Sequence, residues 1–379
     1  MIRLAFFIHS MAFGGAQRAV ANLSNYWAKK GWDITIITLA SPDEPSYELN
    51  PSIKCINLNL AGKSHNILAG LLKNLHRLIS LRKMLYEIKP DIAVGIMDTA
   101  NILLSLASFG MNIVLIGSER THPPQNALKP VWQKLRCYTY YLLDSVVVLT
   151  QETKFWVKEN TKARQVIVIP NPVLFPLPLQ SPIVSPKDYF GEGKVVLAVG
   201  RLTHEKGFDL LIEAFSLLAD KHSDWNLLVI GEGFLRDYLE QKIRALDLSE
   251  RIFLVGRVGN IGEFYTQANL YVMTSRFEGF PNSLVEALAH GLPAVSFDCD
   301  TGPRDIIRQG VDGLLVPEGN VEALVEALDR LMSDSELRQA FAKRAVEARE
   351  RFGIERIALM WEQLFTDILK SKNKEILEF

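Results

Sequence analysis

The sequence predicts an α/β fold: two doubly wound, Rossmann-like domains facing across a cleft. Three observations carry this expectation. Short apolar, β-branched runs alternate with stretches of helical periodicity along nearly the whole chain, as in a parallel sheet covered on both faces. Six prolines (170, 172, 176, 178, 182 and 186) interrupt the alternation once, within 17 residues. That density excludes regular structure and marks a boundary. A length of 379 residues suits two domains.

In order, Arg3–Ile8 is the first apolar run. No small-residue cleavage site follows it, so it reads as a buried strand rather than a secretion signal. A helical stretch from Ala16 to Lys30 stops at Gly31, and the β-branched run Asp33–Leu39 follows. A long helical stretch, Ile67–Ile88, ends before Pro90. Asp91–Ile96, Asn112–Gly117, Ser145–Leu149 and Val166–Ile169 complete the strands of this half, with helical stretches between the earlier ones. Beyond the prolines, strands are expected at Val195–Val199, Leu227–Ile230, Ile252–Val255, Leu270–Met273 and Ala294–Phe297. Helices are expected at Phe208–Ala219, Leu235–Leu246, Ile261–Gln267 and Ser283–His290. Val321–Arg351 is helical with a break near Ser333-Asp334, and Ile354–Lys370 is an amphipathic helix. The expected domains are 1–170, a linker 171–193, and 194–353, with 354–379 packing back toward the first domain. Ligands of such sheets bind at the carboxyl ends of strands, here in the cleft between domains.

Composition narrows the class. Apolar residues make up 48% and charged residues 22%, enough for sizeable cores. Cys55, Cys137 and Cys299 are far apart and form no CxxC pair, which fits a reducing cytoplasm. The seven histidines show no HxxxH or HExxH spacing, so no metal is expected. No apolar run reaches transmembrane length. The net charge of −1 is uneven: residues 1–170 hold 19 Lys and Arg against 11 Asp and Glu, and the remainder 23 against 32. A basic half joined to an acidic half suggests a face for an anionic partner, with chance difference as the alternative.

The chemistry concentrates in Ser275–Ala287. The strand Leu270–Met273 leads through a turn containing Gly279, Phe280 and Pro281 into the helix at Ser283. A helix start offers unpaired N–H groups and partial positive charge, and so attracts phosphate. Glu278 and Glu286 bracket the turn, and a carboxylate beside a phosphate site usually holds a sugar hydroxyl. Glu286 equally fits a capping box with Ser283. After the first strand of this half, Gly200-Arg201-Leu202-Thr203-His204-Glu205-Lys206-Gly207 brings two cations into one strand-to-helix turn. A guanidinium fork and an ammonium together suit a diphosphate. Gly231-Glu232-Gly233 and Gly256-Arg257-Val258 follow the next two strands, so each turn lies at the same end of the sheet.

Gly-Arg-x-x-x-x-Lys-Gly, Gly-x-Gly and Glu-Gly-x-Pro-x-x-x-x-Glu, with Gly14-Gly15-Ala16-Gln17-Arg18 near the N-terminus, resemble the retaining GT-B glycosyltransferases of family 4. The resemblance covers nearly the whole chain. It implies a nucleotide-diphosphate-sugar donor, expected to be a UDP-sugar, held mainly by the C-terminal domain. Arg201 and Lys206 would hold the diphosphate, Glu286 the ribose and Glu278 the donor sugar, while backbone N–H groups of Asn282, Ser283 and Leu284 would face the phosphates. Gly14, Gly15, Arg120, His122, Gly231, Arg257, Val258, Phe280 and Pro281 complete the expected donor surroundings. Glu278, Arg201 and Lys206 would carry catalysis without a metal or other cofactor. The family's front-face mechanism lets the departing phosphate take the acceptor proton. Many relatives carry Ser-Glu-His where this chain has Ser118-Glu119-Arg120-Thr121-His122; Arg120 stands in the histidine's place and His122 two residues on.

The stretch from Lys63 to Lys89 contains Lys63, Lys73, Arg77, Arg82, Lys83 and Lys89 against Glu87 alone. Leu68, Leu71, Leu72, Leu75, Leu78 and Ile79 share one helical face, with Lys73 and Arg77 opposite. Such a basic helix can lie on an anionic membrane or clasp a diphosphate, and equally can be a solvated face. Lys129-Pro130-Val131-Trp132-Gln133-Lys134-Leu135-Arg136 adds aromatic and basic groups. Asp98, after a strand, either lines the acceptor side with Lys73, Arg77 and Lys134 or caps the next helix. Gly-Gly-Ala-x-Arg-Ala, the Asp98-Thr99-Ala100-Asn101 turn and the basic helix are also similar, more loosely, to the bacterial N-acetylgalactosaminyltransferases of lipid-linked oligosaccharides. The expectation is therefore a glycosyltransferase moving a hexose or N-acetylhexosamine to a lipid-linked or polysaccharide acceptor. It would sit peripherally on the inner face of an anionic membrane, with no nucleic-acid partner. A same-fold UDP-sugar epimerase, a glycoside hydrolase working through Glu278 and Glu286, and a sugar-nucleotide sensor are the alternatives.

Overall fold

A computed structural model of the chain describes residues 2–12, 14–40, 47–62, 66–191 and 193–377. It divides into two compact units: Met1–Pro172 with Ile354–Phe379, and Val173–Gly353. Among the described residues each unit is built on one parallel sheet.

The first sheet comprises β1 (Arg3–Ile8), β2 (Asp33–Thr38), β3 (Lys54–Asn57), β4 (Ile92–Ile96), β5 (Val114–Ser118), β6 (Ser145–Val148) and β7 (Val166–Val168). Their order is β3-β2-β1-β4-β5-β6-β7. The chain winds outward from β1 and then resumes on its other side with β4, so the switch point lies between the ends of β1 and β4. Strands buried on both faces account for the unbroken apolar runs: all five residues of β4 and of β5 are buried.

Two cores cover that sheet. One face holds Leu81, Leu85, Ile102, Leu103 and Tyr140 from the helical side, packed with Phe7, Ile37 and Val148. The other packs Trp27 of the helix Gly15–Lys29 with Ile357, Trp361 and Phe365 of the final helix, Ile354–Leu377. Glu362 fixes that helix by accepting from Trp27 Nε1 at 2.9 Å and from Lys30 Nζ at 2.9 Å. Lys372 pairs with Asp144 at 2.8 Å.

The second sheet comprises β8 (Lys194–Val199), β9 (Trp225–Ile230), β10 (Ile252–Gly256), β11 (Leu270–Met273), β12 (Ala294–Asp298) and β13 (Gly313–Pro317). Its order is β10-β9-β8-β11-β12-β13. Here the switch point lies between β8 and β11, which pair in parallel with Leu197 opposite Tyr271.

Two strands, β3 and β13, are absent from the sequence expectation. Both are edge strands. β3 is half exposed and carries Lys54 and Asn57, and β13 starts at glycine and ends at proline. Edge positions tolerate those residues, which blunts the period-2 signal. The proline stretch is also more than a tether. It folds onto the C-terminal unit, where Gln180 donates to Gly259 O at 3.1 Å and Gly259 to Pro182 O at 2.7 Å. Asn260 grips the Val184 backbone from both sides, and a short helix, Lys187–Phe190, follows.

Candidate active site

The site grows from the ends of β8 and β11. Beyond Val199 the chain turns through Gly200 and a 3-10 turn, His204–Lys206, into the helix Phe208–Ser216. Gly207 joins the two with φ +65°, and a Cβ there would overlap the Thr274 carbonyl oxygen. Only glycine adopts that conformation cheaply and permits that approach. The close contact sets the Lys206 turn directly on the end of β11.

Lys206 Nζ donates to Glu278 Oε1 at 2.5 Å. Both side chains are largely buried, at 18% and 11% exposure. Ser275 Oγ donates to the same Glu278 oxygen at 2.7 Å, and Thr301 Oγ1 donates to the Glu278 carbonyl. A carboxylate oxygen held by two donors, on a backbone pinned by a third, is pre-positioned, so its ammonium partner is too.

Arg276 staples the two turns together. Its backbone N–H donates to Glu205 O at 2.8 Å and its Nη1 to His204 O at 2.6 Å. Its guanidinium forks onto Asp209 at 3.0 and 2.7 Å. Burial pushes the Asp209 carboxyl up, and the Arg276 hydrogen bond and charge more than offset this, so it ends below its ordinary value. Thr274 Oγ1 adds a bond to Lys206 O at 3.1 Å.

Arg201 stands differently. Its side chain is 74% exposed and pairs with Glu205 at 3.1 Å. It leaves the same turn as Lys206, while its guanidinium is turned to a carboxylate on that turn.

The helix after the turn is Asn282–Ala289, with Pro281 at its N-cap. It starts one residue before the expected position, so Ser283 is its second residue and the capping box does not form. Ser283 Oγ instead accepts from Tyr271 Oη at 2.9 Å. Glu286 is buried and accepts from Tyr265 Oη at 3.3 Å. Leu284 N–H, expected to face a phosphate, donates to Pro281 O at 3.1 Å. The Leu284 side chain is fully buried, and Phe280 is buried edge-on against Phe352, with ring centroids 5.9 Å apart. These residues thus shape the turn through packing. Pro281 lies tight against Gly302, whose φ of +99° again requires glycine.

Gly231 and Gly256 join β9 to β10, with Gly231 N–H donating to Gly256 O at 2.9 Å. A Cβ on Gly231 would overlap the Gly200 carbonyl, so these glycines let three strand ends crowd together. Arg257 is exposed and Val258 half-buried beside them.

In the N-terminal unit, Gly14 and Gly15 open the first helix, and Tyr47 Oη bonds both the N–H (3.0 Å) and the carbonyl (2.8 Å) of Gly14. Asp98 begins the helix Asp98–Ala107 after Met97, a non-glycine residue at φ +78°. Its carboxylate accepts from Thr99 N at 2.5 Å and Thr99 Oγ1 at 3.0 Å. Gly14 and Gly15 thus follow β1, and Asp98 follows β4, the two paired strands that flank this sheet's switch point.

Arg120 and His122 lie inside the unit. Arg120 Nη1 donates to Asn171 Oδ1 at 2.5 Å, and the guanidinium lies 5.9 Å from the Trp361 ring. Burial pulls it down to about 10. His122 Nδ1 is 3.3 Å from Thr153 Oγ1. Beside them, burial pushes the Glu119 carboxyl up to about 7, against the pull of the Arg136 guanidinium 3.5 Å away and a bond from Tyr140 Oη.

Lys73 and Arg77 do not project freely. Lys73 donates to Ala61 O at 2.7 Å, and Arg77 to Leu60 O at 2.9 Å and Gly62 O at 3.2 Å. Lys134 is exposed, and Lys63 lies outside the described residues. Ser275 and Arg276, although inside the stretch singled out by the sequence, and Asp209, Tyr265 and Thr301 are site residues to which the sequence reading assigns no role. Their common signal is position in a turn after a strand, or a buried polar group facing such a turn.

Comparison with known proteins adds five matches. Residues 13–173 match the model of Glycosyltransferase Family 4, and residues 184–348 that of Glycosyl transferases group 1. An uncharacterized glycosyltransferase of Haemophilus influenzae is 29% identical over 96% of this chain and 99% of its own. Also 29% identical, over 97% of this chain and 99% of its own, is an alpha-1,4-N-acetyl-D-galactosaminyltransferase of Campylobacter jejuni, named for GalNAc-alpha-(1->4)-GalNAc-alpha-(1->3)-diNAcBac-PP-undecaprenol. The crystal structure of Anabaena HepE in complex with UDP superposes with a TM-score of 0.78 at 18% identity, over 97% of this chain and 100% of that one.

Proposed function

Because the chain belongs to the glycosyltransferases of family 4 and group 1, we propose that it moves a hexose or N-acetylhexosamine from a UDP-sugar to a lipid-linked or polysaccharide acceptor, with retention at the anomeric carbon. The observation that carries this reading is the largely buried pair of Lys206, from the turn after β8, with Glu278, from the turn leading into the helix Asn282–Ala289. An ammonium, a helix start and a sugar-facing carboxylate at the switch point of one sheet form a site for a sugar diphosphate. The UDP bound to HepE and the undecaprenol-linked substrate in the Campylobacter enzyme's name support the donor and acceptor classes.

In this reading Lys206 reaches the departing phosphate while Glu278 stays with it and meets the sugar. Arg201 exchanges Glu205 for a phosphate oxygen. The exchange costs little, because an exposed ion pair is worth only about 0–1 kcal/mol. The C1–phosphate bond breaks as the acceptor oxygen bonds C1 on the same face, and the acceptor proton passes to the departing phosphate oxygen. Fixed positive charge aimed at that oxygen stabilises the transition state, so we expect no metal to be required.

The test is release of UDP from UDP-sugars with a lipid-diphosphate glycan acceptor, in the presence of a chelator. Lys206→Ala should lower the rate by about 100-fold or more without changing the circular dichroism spectrum. Full activity in that variant would remove the diphosphate assignment.

A further inference from the structure

The N-terminal unit holds a cavity of about 490 Å³ where β1, β4 and β5 begin, with Arg3, Asp91 and Val114 in its wall. Gly14, Asp98 and Arg120 follow the other ends of the same strands, so the cavity is no part of the candidate active site. Its volume falls in the range of small-molecule sites.

The lining divides by polarity. Leu85, Ile113 and Val114 are buried and form an apolar floor, and Leu369 of the final helix adds an apolar wall. Tyr86, exposed and held through its hydroxyl by Arg82 at 3.1 Å, contributes an aromatic edge. The charged lining residues are Arg3, Lys89 and Lys372 against Asp91. Two of these cations are engaged: Arg3 pairs with Asp91 at 2.8 Å, and Lys372 with Asp144 at 2.8 Å and with the Ile113 carbonyl at 2.8 Å. The Lys89 ammonium has no ion pair or hydrogen bond among the described residues.

The backbone sets Lys89 apart as well. It closes the helix Ile67–Ile88 at φ +48°, its N–H donating to Leu85 O at 2.9 Å. Glycine is the usual residue at such a helix end, because a Cβ disfavours the left-handed region. Here the strained position carries a long cation that reaches a cavity and meets no anion. Backbone strain kept beside a cavity is a pointer to ligand binding.

We propose that this cavity binds a small soluble organic monoanion, an apolar aromatic or alicyclic body bearing one carboxylate. The floor takes the body, and Lys89 takes the charge. Asp91 and Asp144 each already hold one cation, so a single ammonium is left and one negative charge matches it. The bound acid would touch the starts of three strands, the end of the helix Ile67–Ile88 and the final helix, and so tie together segments from both ends of the chain. The proposal does not rest on the transferase reading.

The experiment is isothermal titration of the full chain with 2-naphthoate, with neutral 2-naphthamide and with acetate. Naphthoate should bind at one site, and the amide and acetate at least about tenfold more weakly, since the first lacks the charge and the second the apolar body. Lys89→Gly should weaken naphthoate by about tenfold without lowering the melting temperature, because glycine suits that backbone. Lys89→Arg should keep the affinity within a few fold, and Lys89→Glu should lose more than the glycine variant. Naphthoate should also raise the melting transition of the N-terminal unit in calorimetry. Absence of naphthoate binding, equal binding of the amide or of acetate, or undiminished binding by Lys89→Gly would overturn the proposal.

Discussion

At the residue scale, the chemistry depends on which charges are paired and how deeply they lie. Lys206 and Glu278 are enclosed together, while Arg201 reaches Glu205 with its own side chain largely in water. That difference makes Lys206 the fixed member of the cation pair and Arg201 the movable one. Glu119 shows another consequence of depth. Its carboxyl, pushed by burial from about 4.5 in the unfolded chain to about 7, keeps its proton in the fold when the unfolded chain has lost it. Its contribution to stability is therefore full below pH 4.5 and falls as the pH rises from about 4.5 to 7. Glu119→Gln cannot titrate, so its stability curve should be flatter in that window, with the two proteins converging or crossing by about 1–3 kcal/mol. Urea melts at pH 5 and pH 7 measure this, and parallel curves would refute it.

At the element scale, the site is two turns held together. Leu270–Met273 and Lys194–Val199 are strands whose neighbouring ends open into two turns, the second dependent on Gly207, and Arg276 joins them. Its role is positioning: it touches backbone carbonyls and Asp209. Arg276→Ala leaves Asp209 half-buried without its fork and should cost about 1–3 kcal/mol in stability. It should also weaken the donor kcat/KM by letting the Lys206 turn lift from β11. Arg276→Lys should recover part of the stability but little of the kcat/KM, because an ammonium cannot hold Asp209 and His204 O in one plane. Equal recovery of both would assign Arg276 a charge role alone.

The same scale explains what the sequence made legible. Gly200, Gly207, Gly231 and Gly256 could be read as turn residues from their place after apolar runs, and the alternation of runs gave the doubly wound order. The capping-box reading of Glu286 failed for a local reason. Pro281 can sit as an N-cap without donating, the helix starts at Asn282, and Ser283 is carried inside it. Nothing in the spacing of Ser283 and Glu286 distinguishes those two starts. Tyr265 and Tyr271, which take the two side chains instead, come from other elements.

At the scale of the whole molecule, the N-terminal unit borrows its last helix from the far end of the chain. Ile357, Trp361, Leu364, Phe365 and Ile368 are buried in its core. At about 1.5–3 kcal/mol each they contribute roughly 7–15 kcal/mol, as much as a typical domain's whole net stability. A chain ended at Gly353 should lose the cooperative transition of the N-terminal unit in calorimetry while that of Val173–Gly353 persists. Two intact transitions in the truncated chain would contradict this.

By itself the sequence determined the fold class, the glycine-bearing turns after the strands, and the residues worth testing. Apolar period, glycine placement and charge type are local properties written residue by residue. Only the tertiary structure decided that Lys206 meets Glu278 across 72 positions, that Arg276 staples their turns, and that Leu68, Leu71, Leu72 and Leu75 of Ile67–Ile88 face outward while Lys73 and Arg77 bond to backbone carbonyls on its other side. Those outcomes depend on which strand ends become neighbours and how much of a helix the core can cover, and both are set by contacts between segments far apart in the chain.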